Sequence, residues 1–131
     1  METKKYPFSA WSKQPDCNIV FAEFRSNLVV DLTIAMELVN NRLDFTLNQN
    51  HYFIMDFSNI KHVTQDAKLY LQDPEIGAKN ILGVAYIAAN PLAALLANIF
   101  VKTPKLIPAK FFYSKTEALQ WMTLLKQEVV L

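Results

Sequence analysis

Two stretches of this chain, His51–Phe57 (HYFIMDF) and Ile81–Ala88 (ILGVAYIA), are nearly continuous apolar runs rather than alternating ones. A strand with one wet face alternates in polarity. One that stays apolar throughout is covered on both faces, as central strands of a parallel sheet between helices are. Ile19–Arg25 (IVFAEFR) reads instead as a half-buried strand with Glu23 and Arg25 toward solvent, and Tyr6–Trp11 as a short partner for it. A last strand is expected over Ala109–Tyr113, after an extended connection from Lys102 to Pro108 that contains two prolines.

Helices fall between these runs. Asp31 offers an N-cap, and Leu32, Ala35, Met36, Val39 and Leu43 recur at three- and four-residue intervals, predicting a helix that ends near Thr46. Thr64–Asp73 places Ala67, Tyr70 and Leu71 on one face and is closed by Pro74. Pro91–Val101 carries Leu92, Leu95, Leu96 and Ile99 on one side and Ala93, Ala94, Ala97 and Asn98 on the other, so Leu96 is expected in the core with Leu92 and Ile99. Ser114 and Glu117 match a capping box, opening a helix that turns Ala118, Trp121, Met122 and Leu125 inward. Strand–helix alternation from residue 19 onward calls for a mostly parallel sheet with helices on both faces. At 131 residues a single domain is expected over 18–131, preceded by a segment, 1–17, with an edge strand.

Several chemistries are excluded by what is scarce. Gly77 and Gly83 are the only glycines, too few for a dinucleotide fingerprint or a phosphate loop. His51, His62 and Cys17 share no ligand-like spacing, so neither a metal nor a cofactor is expected. His51 reads as a strand-end residue, His62 as a solvated loop residue, and Cys17 as a small apolar one. Thirteen basic residues against twelve acidic give a net charge of +1 with no basic field, which disfavours nucleic acid as a partner. Asn80–Val101 is free of charge over 22 residues, yet Asn90-Pro91 divides it into a strand and a helix rather than a membrane span. The first sixteen residues lack an apolar stretch of seven or more, so a cytoplasmic location is expected.

Asp56-Phe57-Ser58-Asn59-Ile60 at the end of the third expected strand, followed by Val63-Thr64-Gln65-Asp66-Ala67, resembles the pattern D-L-S-x-V, two residues, I-D-S-S-G of the anti-sigma-factor antagonists. Together with the order of elements over residues 18–128, this is similar to the STAS domain, the SpoIIAA-like fold. The tail, NPLAALLANIF through AKFFYSKTEALQWM, is similar to a bacterial branch of uncharacterised STAS-like proteins. The resemblance implies an α/β fold with a mixed, mostly parallel sheet of four or five strands and about four helices. In the antagonists the second serine of the motif is phosphorylated at the start of the second helix, which switches off binding to a kinase. Asp66 stands at that place here, Gln65 at the first serine, Thr64 at the preceding aspartate and Ala67 at the glycine, so the phosphoacceptor is missing.

The expected function is a non-enzymatic interaction module that binds a protein through Ser58, Asn59, His62, Thr64, Gln65 and Asp66, without phospho-control. Ala93, Ala97 and Phe100 form a second candidate surface, on which a homodimer would assemble. The alternative is a domain that binds an apolar ligand or a lipid surface, motivated by the uncharged helix and its Lys102 and Lys105 flank. Asp56, His62 and Asp66 around one loop are the best catalytic constellation, with a histidine between carboxylates as a general base; lacking a nucleophile motif, they do not predict an enzyme.

Overall fold

The computed structural model describes residues 1–103 and 107–130, with side chains as far as residue 127. Its sheet has six strands in the order β1 (Glu2–Lys5), β2 (Ser9–Lys13), β3 (Ile19–Phe24), β5 (His51–Asp56), β7 (Ile81–Ile87) and β8 (Ala109–Phe112). β3, β5, β7 and β8 run parallel, and β1 and β2 extend the β3 edge antiparallel. Six strands rather than four or five therefore make up the sheet. The difference lies at the amino end, where residues 1–17 supply two strands and bury Trp11 in the core.

A second, two-stranded parallel sheet joins β4 (Leu28–Val30) to β6 (Ile60–Val63). Neither strand was expected, since three or four residues carry too little alternation to stand out from a loop. Four helices complete the fold: α1 (Leu32–Phe45), α2 (Gln65–Gln72), α3 (Pro91–Lys102) and α4 (Lys115–Val130). Each begins where a polar side chain meets a first-turn amide. Asp31 accepts from Ile34 N at 2.9 Å, Asn90 accepts from Ala93 N at 2.8 Å, and Ser114 Oγ accepts from Glu117 N at 3.3 Å. Residues 104–106 of the expected Lys102–Pro108 connection lie outside the described residues.

The sheet separates two cores. Phe53, Val84 and Tyr86 face the larger one, under α1, α2 and α3. Tyr52, Ile54, Ala85 and Ile87 face the other, where Ala118 and Met122 of α4 meet them. β5 and β7 are thus covered on both faces, which is why their sequences do not alternate.

Candidate functional site

The sequence pointed to the loop after β5, and there the polar side chains are engaged with the chain itself. Ser58 Oγ accepts from Ala89 N at 3.1 Å, the Ser58 carbonyl accepts from Asn90 Nδ2 at 2.8 Å, and the Asn59 amide donates to the Phe24 carbonyl at 3.3 Å. These bonds fasten the loop to the start of α3 and the end of β3. Thr64 is the N-cap of α2, and Asp66 Oδ1 accepts from both Thr64 Oγ1 (2.5 Å) and Ala67 N (2.8 Å). Gln65 is exposed beside it, and His62 projects from β6 into solvent. Asp56 accepts from Ser58 N at 2.9 Å, and among the described residues no hydrogen bond links Asp56, His62 and Asp66. The six residues thus form two fastenings and an exposed strand face rather than one concave site. Among the described residues, no cluster of three or more His, Cys, Asp or Glu could hold a metal.

α3 faces the other way from the sequence reading. Ala93 and Ala97 are fully buried and Phe100 is 3% exposed, while Leu92, Leu95 and Ile99 are 54%, 63% and 42% exposed. Ala93, Ala97 and Phe100 are consequently core residues and not an interface. The alanines let the helix lie close to the sheet, and Phe100 closes an aromatic group with Phe57 (5.4 Å between centroids) and Tyr86 (5.8 Å). Leu96, at 7% exposed, is buried as expected; Leu92 and Ile99 are not. On α1 the stripe is likewise rotated: Met36 is exposed, and Ala35, Leu38, Val39 and Arg42 are buried.

Beneath α1, α2 and α3 the first core encloses a cavity of about 450 Å³. Trp11 and Phe53 stack in one wall at 5.3 Å and 16°, and Phe57, Tyr86 and Phe100 line its far end. Of the lining residues, Pro74 is exposed and Gln72, Asn80 and Ile107 are half-buried, so the cavity opens between the α2–β7 connection and the approach to β8. That mouth lies at the amino end of β7. Asn48 and Asn80 hold it in left-handed backbone (φ 56° and 69°), the Asn80 amide donating to Asn48 Oδ1 at 2.9 Å.

Arg42 is the charged member of the wall, 2% exposed in the last turns of α1. Nη1 donates to His51 Nε2 (3.0 Å) and to the Lys79 carbonyl (2.8 Å), and Nη2 donates to the Gly77 carbonyl (2.9 Å). Burial lowers its pKa to about 10, which still leaves it charged at neutral pH. The opposite ring nitrogen of His51 donates to the Gln49 carbonyl at 2.9 Å, fixing a neutral tautomer whose Nε2 is free to accept. Burial, seconded by the adjacent guanidinium and opposed by the Gln49 carbonyl, brings the His51 pKa down to about 4. At the other end, burial pushes the Tyr86 hydroxyl upward, and it meets no hydrogen-bond partner among the described residues. Sequence reading missed Arg42 because arginine is normally a surface residue. The signal was there in its register, since Arg42 follows Ala35, Leu38 and Val39 at helical intervals of seven, four and three.

A family model described as a domain of unknown function, DUF7793, matches residues 14–126. The chain belongs to the DUF7793 family. Among solved structures, an uncharacterised protein of the DUF3478 family from Shewanella loihica PV-4, described as having a SpoIIAA-like fold, is similar at a TM-score of 0.57. The two are 18% identical, with 92% of this chain and 98% of that one covered, so this member of DUF7793 has the SpoIIAA-like fold. No curated protein matches. Among the described residues, no helix of this DUF7793 chain is long and apolar enough to cross a membrane.

Proposed function

We propose that the chain is a non-enzymatic binding domain that takes an apolar small molecule into the cavity beneath α1, α2 and α3. The observation that carries this reading is the cavity's size. It is about 450 Å³, three times the ~150 Å³ of an apolar cavity that binds benzene, and within the range of ligand pockets. Protein interiors leave few voids larger than a water molecule. A space this large leaves its apolar lining without the contacts that a packed core would give it. An apolar occupant restores those lost contacts. Titrating decanol into the protein by calorimetry tests this: one-to-one saturable binding is expected, and it should vanish in Val84→Phe, which fills the cavity from β7. Absence of binding to the folded wild-type chain overturns the reading.

Protein interaction is the second reading. Because Ser58, Asn59, Thr64 and Asp66 are spent on the chain's own backbone and caps, the surface that supports it is the exposed stripe Leu92, Leu95 and Ile99. A protein partner or a second copy of the chain would bury it. Sedimentation velocity of the wild type against Leu95→Asp separates the homodimer from the monomer.

A further inference from the structure

Resting on the cavity reading above, we infer that the occupant is an amphiphile with a single carboxylate, whose apolar chain fills the cavity and whose head pairs with Arg42.

A guanidinium has five N–H donors in a planar fork. Three of those of Arg42 are taken, by His51 and by the carbonyls of Gly77 and Lys79, and two remain. All three acceptors are neutral. The ion pairs found among the described residues are Lys4–Asp44 and Lys13–Glu2, both elsewhere, so no carboxylate offsets the Arg42 charge. A buried charge without a counter-charge costs several kcal/mol, and an arriving anion removes that cost while a neutral or cationic head does not. The remaining planar donors fit a carboxylate in particular.

Tyr86 is a second polar side chain on the wall. Its side chain lines the same cavity at 4% exposure, and its hydroxyl has no partner among the described residues. It marks the far end. Ile81, near the mouth, and Tyr86 both line the cavity, and five steps along a parallel strand span roughly 16 Å. Between the two polar ends the wall is aromatic and aliphatic, including Trp11, Phe53, Val39 and Val84. The result is a long apolar slot with one cation at its amino-terminal end, which suits one chain and one negative head.

Arg42 also ties the 77–79 segment to α1, and that structural duty alone creates no preference among ligand heads. Three ten-carbon probes therefore discriminate: decanoate, decanol and decylammonium, each titrated calorimetrically into the full chain at pH 7.5. Decanoate is expected to bind at least about ten-fold tighter than decanol, the worth of a charge-assisted hydrogen bond, with decylammonium weaker than both. The Arg42 side-chain ¹⁵Nε resonance should move with decanoate and stay with decanol. Arg42→Met should erase the decanoate advantage and keep decanol binding; if that variant does not fold, the wild-type comparison and the ¹⁵Nε signal decide alone. Equal affinity for decanoate and decanol overturns the anionic assignment and leaves the cavity reading standing. Failure of all three to bind overturns both.

Discussion

The Arg42 guanidinium donates at 3.0 Å to Nε2 of His51, joining the end of α1 to the first residue of β5 in an interior with no carboxylate partner for either among the described residues. The bond requires a neutral imidazole. A proton on Nε2 would remove the acceptor and set two positive charges in contact.

Stability should therefore depend on pH through His51. Its folded pKa, about 4, lies below the ordinary 6.5, so as pH falls the unfolded chain takes up the proton first. The stabilisation is fully present above pH 6.5 and is lost between there and about 4, a difference on the order of 3 kcal/mol at 1.36 kcal/mol per pH unit. Urea unfolding at steps from pH 7.5 to 4.5 measures it. The wild type should weaken by more than His51→Gln over that window, and equal slopes would show that His51 does not carry the effect.

α3 supplies a contrast within one turn. Leu96 is 7% exposed and Leu95 63% exposed. Leu96→Ala loses buried surface and leaves a hole, for about 2–5 kcal/mol. Leu95→Ala should stay within about 0.5 kcal/mol of wild type. Denaturant midpoints of both variants check the orientation of the helix, and a reversed order would restore the leucine-inward reading.

How much of this was legible depended on how many residues spoke for each element. β5 and β7 announced themselves through five apolar residues within His51–Phe57 and seven within Ile81–Ala88, and α1 and α3 through their caps Asp31 and Asn90. β4 and β6 were silent because pairing such as Val30 with Val63 is a tertiary fact with no local pattern. The orientation of α3 was misread for a related reason. Leu92, Leu95 and Ile99 outweigh Ala93 and Ala97 in hydrophobicity, but the sheet selects the side that permits close approach. The cavity left no motif at all, since its wall combines residues from the sheet and three helices that meet only on folding.

The two glycines should differ sharply. A Cβ on Gly77 would lie 2.0 Å from the Tyr70 carbonyl oxygen and 2.5 Å from the Leu71 Cα, both backbone atoms that cannot yield. On Gly83 it would meet the Leu125 Cδ2 at 2.7 Å, the end of a side chain that can turn aside. Gly77→Ala is expected to cost about 3 kcal/mol or more and Gly83→Ala about 1 kcal/mol, bracketing the usual range for overpacking. Thermal unfolding of the pair checks the geometry of the α2–β7 connection, which also forms the cavity mouth.

The central claim, a ligand cavity between the sheet and α1, α2 and α3, is tested most directly by mapping amide chemical shifts of the ¹⁵N-labelled chain as decanol is added. Changes should cluster at Val39, Phe53, Val84 and Ile107, which come from α1, β5, β7 and the approach to β8 and all line the cavity wall. Shifts confined to Leu92, Leu95 and Ile99 would place the apolar ligand on the outer surface of α3 and contradict the account.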